Sequence, residues 1–279
     1  MEHKIIGDSC CDYPQKAMDF LTRVPLTIDL GGEEIVDESG LDTAEFVRKM
    51  GECPSAPRSA CPSPESFLQE FKSSKGDTYV VTLSDGLSGS YNSAVQAMRI
   101  YHEGGGGNNI HIFNSKSAAA GQVGICMKIN DLCKEKLPFH DIVARVQTYI
   151  DQLTTLFVLE DLEVFRKNGR LGPLQAVITG KLKIKLVMAA TQEGTVCKKA
   201  SALSIRQALN KMVNMVSAGA RKSSGKIARL VITHCQAPDR AEYVKNAIEE
   251  VCDVAESIIC RSSGISSMYA GPGGVIVSF

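Results

Sequence analysis

Residues 79–94 read YVVTLSDGLSGSYNSA. Residues 79–84 form a short apolar run that is typical of a buried strand, and the residues after them open a helix. The turn between them is rich in serine and glycine, so that backbone N–H groups and hydroxyls gather at the positive end of a helix dipole. A phosphate or a carboxylate is the natural guest of such a turn, and an ordinary strand-to-helix loop with serine caps is the alternative interpretation.

Similar apolar runs recur along the chain and alternate with helical patterns, which predicts an α/β fold with some parallel strand pairing. The predicted strands span residues 4–7, 79–84, 109–114, 155–160, 183–190, 228–234, 255–260 and 274–279. Helices are predicted from apolar residues at helical spacing within 142–153, 205–216 and 241–251. A long amphipathic helix ends where a new strand begins, and this predicts an N-terminal α/β domain of residues 1–152 and a C-terminal α/β domain of residues 153–279.

The composition excludes several classes of protein. The chain of 279 residues balances 31 Lys and Arg against 31 Asp and Glu, which argues against a main task of holding nucleic acid. No apolar stretch approaches the length of a membrane span, and the N-terminus lacks the apolar core of a signal peptide. The ten cysteines are scattered without zinc-site spacing, so we expect reduced thiols, a cytoplasmic location and no metal or cofactor.

Two further clusters of polar residues suggest ligand contacts. Residues 58–64 read RSACPSP, where two prolines restrict the backbone and Ser59 or Ser63 can present a hydroxyl. A loop that ends in a helix cap at Ser63 is the alternative for this stretch. Residues 8–12 read DSCCD directly after the first strand, where side chains of an open α/β sheet face the ligand crevice. Asp8 as a cap of the following turn is the alternative.

Residues 86–90 read GLSGS and come close to the G-x-S-x-G nucleophile elbow, with Ser90 where the last glycine belongs. A serine hydrolase with Ser88 as nucleophile, and with His234 and Asp239 as its partners, is therefore an alternative function. A lone histidine at the end of a strand more often has a structural role.

Basic residues are concentrated between residues 164 and 206, where Glu193 is the single acid. The basic residues are Arg166, Lys167, Arg170, Lys181, Lys183, Lys185, Lys198, Lys199 and Arg206. This basic segment indicates either a docking surface for an acidic or phosphorylated partner or a solvated face.

Taken in chain order, the motifs resemble the DegV family of bacterial fatty-acid-binding proteins. Residues 83–94 (LSDGLSGSYNSA) resemble the family's L-S-S-G-L-S-G-T-Y-x-S-A, and residues 59–64 (SACPSP) are similar to its T-S-Q-P-S-P. The other matching segments are Asp8-Ser9 after the first strand, Val24-Pro25-Leu26, FVLEDLE at 157–163, NGRL at 168–171 and YAGPG at 269–273. Counting 157–163 and 168–171 as one match, six weak matches in the correct order make the resemblance specific.

The resemblance implies two α/β domains with a long-chain fatty acid held between them. It also implies that the hydroxyls of Ser59 and Ser88 bind the carboxylate, with the backbone N–H of Gly89 nearby. Members of the family present the bound fatty acid to a separate kinase for acyl-phosphate formation and do not themselves catalyse. Arg170 would then lie near the carboxylate or on the kinase-docking face, and Tyr269 stands where many members carry histidine. A simple lipid carrier without a kinase partner is the remaining alternative.

The chain departs from the family pattern at several positions. Ala60 replaces the second hydroxyl of T-S-Q-P-S-P and Cys61 replaces its glutamine. Asn168 replaces the first glycine before Arg170, and Leu203 occupies the expected place of an arginine. Serine hydroxyls and backbone donors remain, so carboxylate binding is still expected.

Overall fold

A computed structural model describes residues 2–12, 19–172, 174, 184–222 and 225–279. The strands in chain order are β1 (His3–Asp8), β2 (Leu21–Val24), β3 (Thr27–Leu30), β4 (Glu33–Val36), β5 (Arg58–Ala60), β6 (Asp77–Thr82), β7 (Ile110–Asn114), β8 (Thr155–Val158), β9 (Lys185–Ala190), β10 (Val196–Ala202), β11 (Lys226–Ile227), β12 (Leu230–His234), β13 (Asp253–Val254), β14 (Ser257–Arg261) and β15 (Val275–Ser278). The helices are α1 (Thr43–Glu52), α2 (Pro64–Lys72), α3 (Ser90–Glu103), α4 (Ala120–Lys134), α5 (Phe139–Gln152), α6 (Glu163–Lys167), α7 (Ile205–Lys222), α8 (Pro238–Glu249) and α9 (Gly264–Ala270).

The N-terminal half is built around a parallel sheet in the order β2-β1-β6-β7. Tyr79, Val80 and Val81 of the central strand β6 are all buried, because helices cover both faces of the sheet. Helices α2 and α3 supply apolar side chains to the core on one face, and α4 and α5 supply them on the other. The apolar run at 79–81 is therefore continuous and does not alternate.

The C-terminal half is built around a mixed sheet in the order β10-β9-β8-β15-β12-β14. Its pairs are antiparallel except for the parallel pair β12 and β14. One face packs against α7 and α8. On the other face, Val231 and Cys260 belong to the same core cluster as residues of α4. Helix α4 therefore lies between the two sheets.

A small antiparallel sheet in the order β4-β3-β5 joins the two halves. Buried Leu26 and Ile28 share a core cluster with Phe157, Met188 and Met268 from the C-terminal half. This cluster surrounds the cavity described below, so the small sheet forms one of its walls.

The α/β fold predicted from the sequence is confirmed, and each predicted strand overlaps an observed one. Lys183, at the start of the predicted 183–190 strand, lies outside the described residues. The helices predicted around 142–153, 205–216 and 241–251 are α5, α7 and α8. Among the described strands, pairs form within residues 3–114 and within residues 155–278 but not between these ranges. The division into two domains at 152–153 stays a prediction, since core clusters cross it.

Over the part of the chain that the structure describes, no helix combines the length and the apolar character needed to cross a membrane.

Candidate functional site

An apolar cavity lies between the two sheets and encloses about 850 Å³ of atom-free space, including its open mouth. Apolar side chains form most of its wall, and polar side chains gather mainly at two places. The apolar lining includes Leu26, Leu83, Leu87, Phe157, Leu159, Phe165, Val196, Ile265 and Ile276.

The first polar place, the mouth, brings together Ser59 and Tyr269 from distant parts of the chain. The two hydroxyl oxygens lie 3.3 Å apart, and both side chains are half-buried. Ser59 is fixed by β5, where it pairs opposite Ile28 of β3. Tyr269 stands on α9, and its ring lies 4.9 Å from the ring of Phe165. Whichever hydroxyl accepts in this contact keeps its own proton and can donate it to a ligand.

Ser88 and Gly89 approach the same mouth from the turn between β6 and α3. The amide of Ser88 donates to the carbonyl of Ser84, and the Ser88 hydroxyl accepts from the amide of Ser90 at 3.3 Å. Gly89 directly precedes α3, so the N–H groups of the first helical turn lie close to Ser88. A Cβ at Gly89 would lie 3.0 Å from Cys61 Sγ, so glycine permits this close approach of the 58–64 loop.

Arg170 reaches the mouth from the turn after α6. Its Nε donates to the carbonyl of Leu87 at 3.0 Å, and its Nη1 donates to the carbonyl of Asn168. The guanidinium therefore holds the turn that carries Ser88 while it lines the cavity. The Asn168 side chain donates to the carbonyl of Pro57 at 3.0 Å, two residues before Ser59. Asn168, one of the residues that depart from the family pattern, thus stabilises the strand segment that carries Ser59 at the mouth.

Aromatic rings lead from the mouth into the cavity. The Phe165 ring lies 6.0 Å from the Phe157 ring, and the two planes differ by 15°. Every second residue of an extended strand lies on the same face. Thr155, Phe157 and Leu159 are each two positions apart, and all three line the cavity. The wall beyond the mouth is therefore suited to a long apolar ligand.

Buried Asp8 supports the site from behind. Its carboxylate accepts from the amide of Leu83 at 2.7 Å, from the amide of Cys10 at 3.2 Å and from Gln122 Nε2 at 2.9 Å. Burial raises the pKa of Asp8 to about 6, although these hydrogen bonds oppose the shift. Asp8 therefore fixes the start of the Ser88 turn. Its bond to the amide of Cys10 caps the turn that follows β1, which is the alternative role that the sequence suggested. Asp8 does not line the cavity.

Two further buried carboxylates hold α9, the helix that carries Tyr269. Asp37 accepts from the amides of Gly264 and Ile265 at 2.8 and 3.0 Å, and Asp12 accepts from the amide of Ser263 at 2.8 Å. Burial raises the pKa of Asp12 to about 6 and also raises the pKa of Asp37. Negative charge at a helix N-terminus is stabilising, so these contacts fix the position of α9.

The structure brings Ser59, Ser88, Gly89, Arg170 and Tyr269 to the mouth of the cavity or beside it. Their binding roles stay predictions. Ser63 accepts from the amide of Ser66 at 3.2 Å, which confirms its interpretation as a helix cap.

Sequence reasoning missed the contributions of Asp37, Gln122, Phe157 and Phe165. Of these, only the aromatic residues gave a signal, because Phe157 opens the recognised 157–163 segment and Phe165 lies two residues after it.

The basic segment is heterogeneous. Arg166 pairs with Glu163 at 2.9 Å, and Lys185 pairs with Glu160 at 2.6 Å. Lys198 and Lys199 are exposed on β10. Lys181 lies outside the described residues, as does Lys183. Arg166 and Lys185 are thus already paired within the chain. The exposed basic residues of the segment, among those described, are Lys167, Lys198, Lys199 and Arg206, and Lys198 and Lys199 lie side by side.

The fold and the cavity define an α/β protein with an apolar pocket that carries hydroxyl and guanidinium groups at its mouth. The profile of the DegV family of uncharacterised proteins matches residues 2–279, and the chain belongs to the DegV family. A DegV domain-containing protein of Streptococcus pneumoniae is 33% identical over 288 residues, which cover 100% of this chain and 99% of that protein.

Solved structures share the fold at comparable identity. A DegV family protein from Ruminococcus gnavus, refined with vaccenic acid, is 38% identical with a TM-score of 0.95, and the match covers 99% of each chain. The fatty acid kinase (Fak) B3 protein of Streptococcus pneumoniae, loaded with linoleic acid, is 32% identical with a TM-score of 0.89. That match covers 100% of this chain and 99% of the other.

Proposed function

We propose that this protein binds one long-chain fatty acid non-covalently in the cavity between its two sheets. The observation that carries the proposal is a long apolar wall that ends at a mouth of hydroxyl and guanidinium donors. Each buried methylene gains about 0.8 kcal/mol, so the chain supplies most of the affinity. The vaccenic acid and linoleic acid in the two similar structures support the same ligand class.

The carboxylate is held by the hydroxyls of Ser59 and Ser88 and by the N–H of Gly89. Tyr269 stabilises Ser59 through their hydroxyl contact, and Arg170 adds a positive charge and fixes the Ser88 turn. Charge-assisted hydrogen bonds to a carboxylate are stronger than neutral ones, so a few donors suffice. No metal, cofactor or catalytic base is needed for this binding.

The protein presents its bound fatty acid to a separate kinase for acyl-phosphate formation and does not itself catalyse. The similarity to the Fak B3 protein supports this role. The exposed Lys198 and Lys199 provide a docking surface of the charge that an acidic partner face requires. We place the protein in the bacterial cytoplasm, where free thiols such as its ten cysteines persist.

A serine hydrolase at Ser88 is less well supported by the geometry. The Ser88 hydroxyl lies 3.1 Å from the Ser90 hydroxyl, and His234 Nδ1 accepts from the amide of Ala237 at 3.2 Å. Neither His234 nor Asp239 lines the cavity. We expect an active-site-directed fluorophosphonate to leave Ser88 unlabelled, and labelling at Ser88 would favour the hydrolase.

Lipid extraction tests the proposed binding directly. The full chain, purified from a bacterial host, is extracted with organic solvent and the extract is analysed by mass spectrometry. We expect about one long-chain fatty acid for each chain. A protein that carries no lipid, and that also fails to bind added fatty acids after delipidation, contradicts the proposal.

The head-group assignment is tested by Ser88→Ala. Loss of a hydrogen bond to a charged group weakens fatty acid binding by about 1–3 kcal/mol. Ser55→Ala is the matched control, because Ser55 is exposed and lies outside the cavity. If titration calorimetry gives the same affinity for Ser88→Ala and Ser55→Ala, the carboxylate lies elsewhere.

The kinase step is tested separately from lipid binding. Lys198→Ala/Lys199→Ala is expected to retain bound fatty acid and to slow acyl-phosphate formation by a supplied kinase with ATP. The difference from the parent shrinks as salt rises, because exposed charges are screened within about 10 Å at 0.1 M ionic strength. Equal rates at low salt would argue for a lipid carrier without a kinase docking role for these lysines.

A further inference from the structure

The second polar place in the cavity lies away from the mouth, at the start of β8. Ser117 and Thr155 are both buried, and their hydroxyl oxygens lie 2.7 Å apart. Thr155 Oγ1 also donates to Ser278 Oγ at 3.4 Å, which extends the contact to a third buried hydroxyl. We call Ser117 and Thr155 the hydroxyl wall. It faces a cavity whose lining is otherwise mostly apolar.

A second, polar cavity lies on the other side of the hydroxyl wall. The two cavities share Lys116, Ser117, Thr155 and Ala190 in their linings. The second cavity is also lined by Asp151, Gln152, Thr191, Gln192 and Lys199. The hydroxyl wall therefore separates an apolar space from a polar one, and its hydroxyls lie at the boundary.

The loop that carries Ser117 has a fixed shape. The amide of Lys116 donates to Asn114 Oδ1 at 3.1 Å, and the Ser115 hydroxyl donates to the carbonyl of Ser117 at 2.9 Å. Lys116 adopts a positive φ of 50°, which favours glycine and is held here by these contacts. A Cβ at Gly121 would lie 2.0 Å from Ser117 Oγ, so glycine leaves the room for this hydroxyl. The wall is therefore preorganised.

We infer that the hydroxyl wall selects fatty acids that carry a hydroxyl group on the part of the chain that reaches it. The two hydroxyls of the wall have two donors and four acceptor sites, and their mutual bond uses one of each, so a ligand hydroxyl finds a free acceptor at the wall. A plain methylene or methyl group cannot form this hydrogen bond. It also displaces water from the hydroxyls of the wall, which costs free energy because those hydroxyls gain no new partner. The inference rests on the proposed function and specifies its ligand class as hydroxylated long-chain fatty acids.

The wall lies deeper than the mouth. Rings connect Tyr269 to Phe165 and Phe165 to Phe157, and Thr155 is two residues further along the same face of β8. Two residues of a strand span about 7 Å, so the wall meets the chain well beyond the carboxylate. The ligand hydroxyl is therefore in the middle or distal part of the chain.

The test compares delipidated full chain with octadecanoic acid and with octadecanoic acids that carry one hydroxyl at successive positions. We expect one or two neighbouring positions to bind about three- to tenfold more tightly than the plain acid, as one net hydrogen bond provides. Thr155→Val/Ser117→Ala is expected to abolish this preference and Thr155→Ser to retain it. Thr233→Val is the matched control, because Thr233 is a buried strand threonine outside the cavity.

The outcomes separate this inference from the proposed function. If the plain acid binds and no hydroxylated acid binds more tightly, the hydroxyl wall is not selective and the inference is wrong. The inference is equally wrong if the preference survives in Thr155→Val/Ser117→Ala. If none of the acids binds, the proposed function itself fails. The ligand comparison needs only the parent protein, so a variant that does not fold leaves the test intact.

Discussion

The Ser59 hydroxyl lies 3.3 Å from the Tyr269 hydroxyl, although the two residues are 210 positions apart in the chain. Ser59 comes from the small sheet of the N-terminal half, and Tyr269 comes from α9 in the C-terminal half. This contact closes the mouth of the cavity across the two halves of the molecule. The proposed carboxylate binding at the mouth therefore depends on the relative position of the two halves.

The first prediction concerns this contact. Ser59→Ala and Tyr269→Phe each weaken fatty acid binding, because each removes a hydroxyl while the Tyr269 ring still packs on Phe165. The two hydroxyls act together, so the double variant loses less affinity than the sum of the single losses, with a coupling energy of about 0.5–3 kcal/mol. Titration calorimetry on the four proteins measures the coupling. Additive losses would show that the hydroxyls act independently.

The second prediction concerns Arg170. Arg170→Ala removes both a positive charge at the mouth and the bond to the carbonyl of Leu87. We expect about tenfold weaker fatty acid binding, which corresponds to about 1.4 kcal/mol. Lys167→Ala is the control, because Lys167 is an exposed cation on the neighbouring α6 that does not line the cavity. Unchanged affinity in Arg170→Ala, with loss of acyl-phosphate formation, would assign Arg170 to docking alone.

Much of the fold could be predicted from the sequence, because most strands of the two large sheets appear there as short apolar runs. Tyr79, Val80 and Val81 are buried on both faces, and such runs stand out without any tertiary information. The small sheet was missed for the opposite reason. Glu33 and Glu34 of β4 are exposed, and β5 has only three residues, so neither strand has an apolar run.

The site could be predicted only in part. Ser59, Ser88 and Arg170 lie in segments that resemble family motifs, and these segments do meet at one cavity. Asp37 was missed because its partners are two amides of α9 more than 200 positions away. Contacts of this kind depend on how the two halves pack, and no local pattern encodes them.

The third prediction concerns backbone strain beside the cavity. Ala119 is buried and has φ 53° and ψ −119°, a conformation that glycine adopts far more readily than alanine. Such strain costs about 1–3 kcal/mol, part of which is offset by the greater freedom of glycine in the unfolded chain. Ala119→Gly should therefore raise the free energy of unfolding by about 1 kcal/mol in urea denaturation.

Ala144→Gly is the matched control for this substitution. Ala144 is exposed in the middle of α5, where glycine lowers stability by about 0.5–1 kcal/mol. Opposite signs for the two variants support the strain at Ala119. A loss of stability in both would show that Ala119 is not strained.

The fourth prediction concerns pH and Asp8. Burial raises its pKa from 3.8 to about 6, so the folded state holds this proton more tightly than the unfolded state. The Asp8 contribution to stability is greatest below pH about 4, falls as the pH rises from about 4 to 6, and is constant above that range. Two units of pKa correspond to about 3 kcal/mol.

Asp8→Asn removes this titration, because an amide does not ionise in that range. Relative to the parent, the free energy of unfolding of Asp8→Asn should rise between pH 4 and pH 7, whatever its constant offset. Urea denaturation at several pH values measures the difference. A pH-independent difference would show that Asp8 has an ordinary pKa.

A crystal structure of the complex with a long-chain fatty acid that carries bromine on its last carbon would locate both ends of the bound ligand. Anomalous scattering locates the bromine, and the electron density locates the carboxylate. We predict the carboxylate within about 3 Å of the Ser59 and Ser88 hydroxyls, as hydrogen bonding requires, and the bromine in the cavity beyond Phe157. Bromine beside Ser88, or a fatty acid bound outside this cavity, would contradict the account.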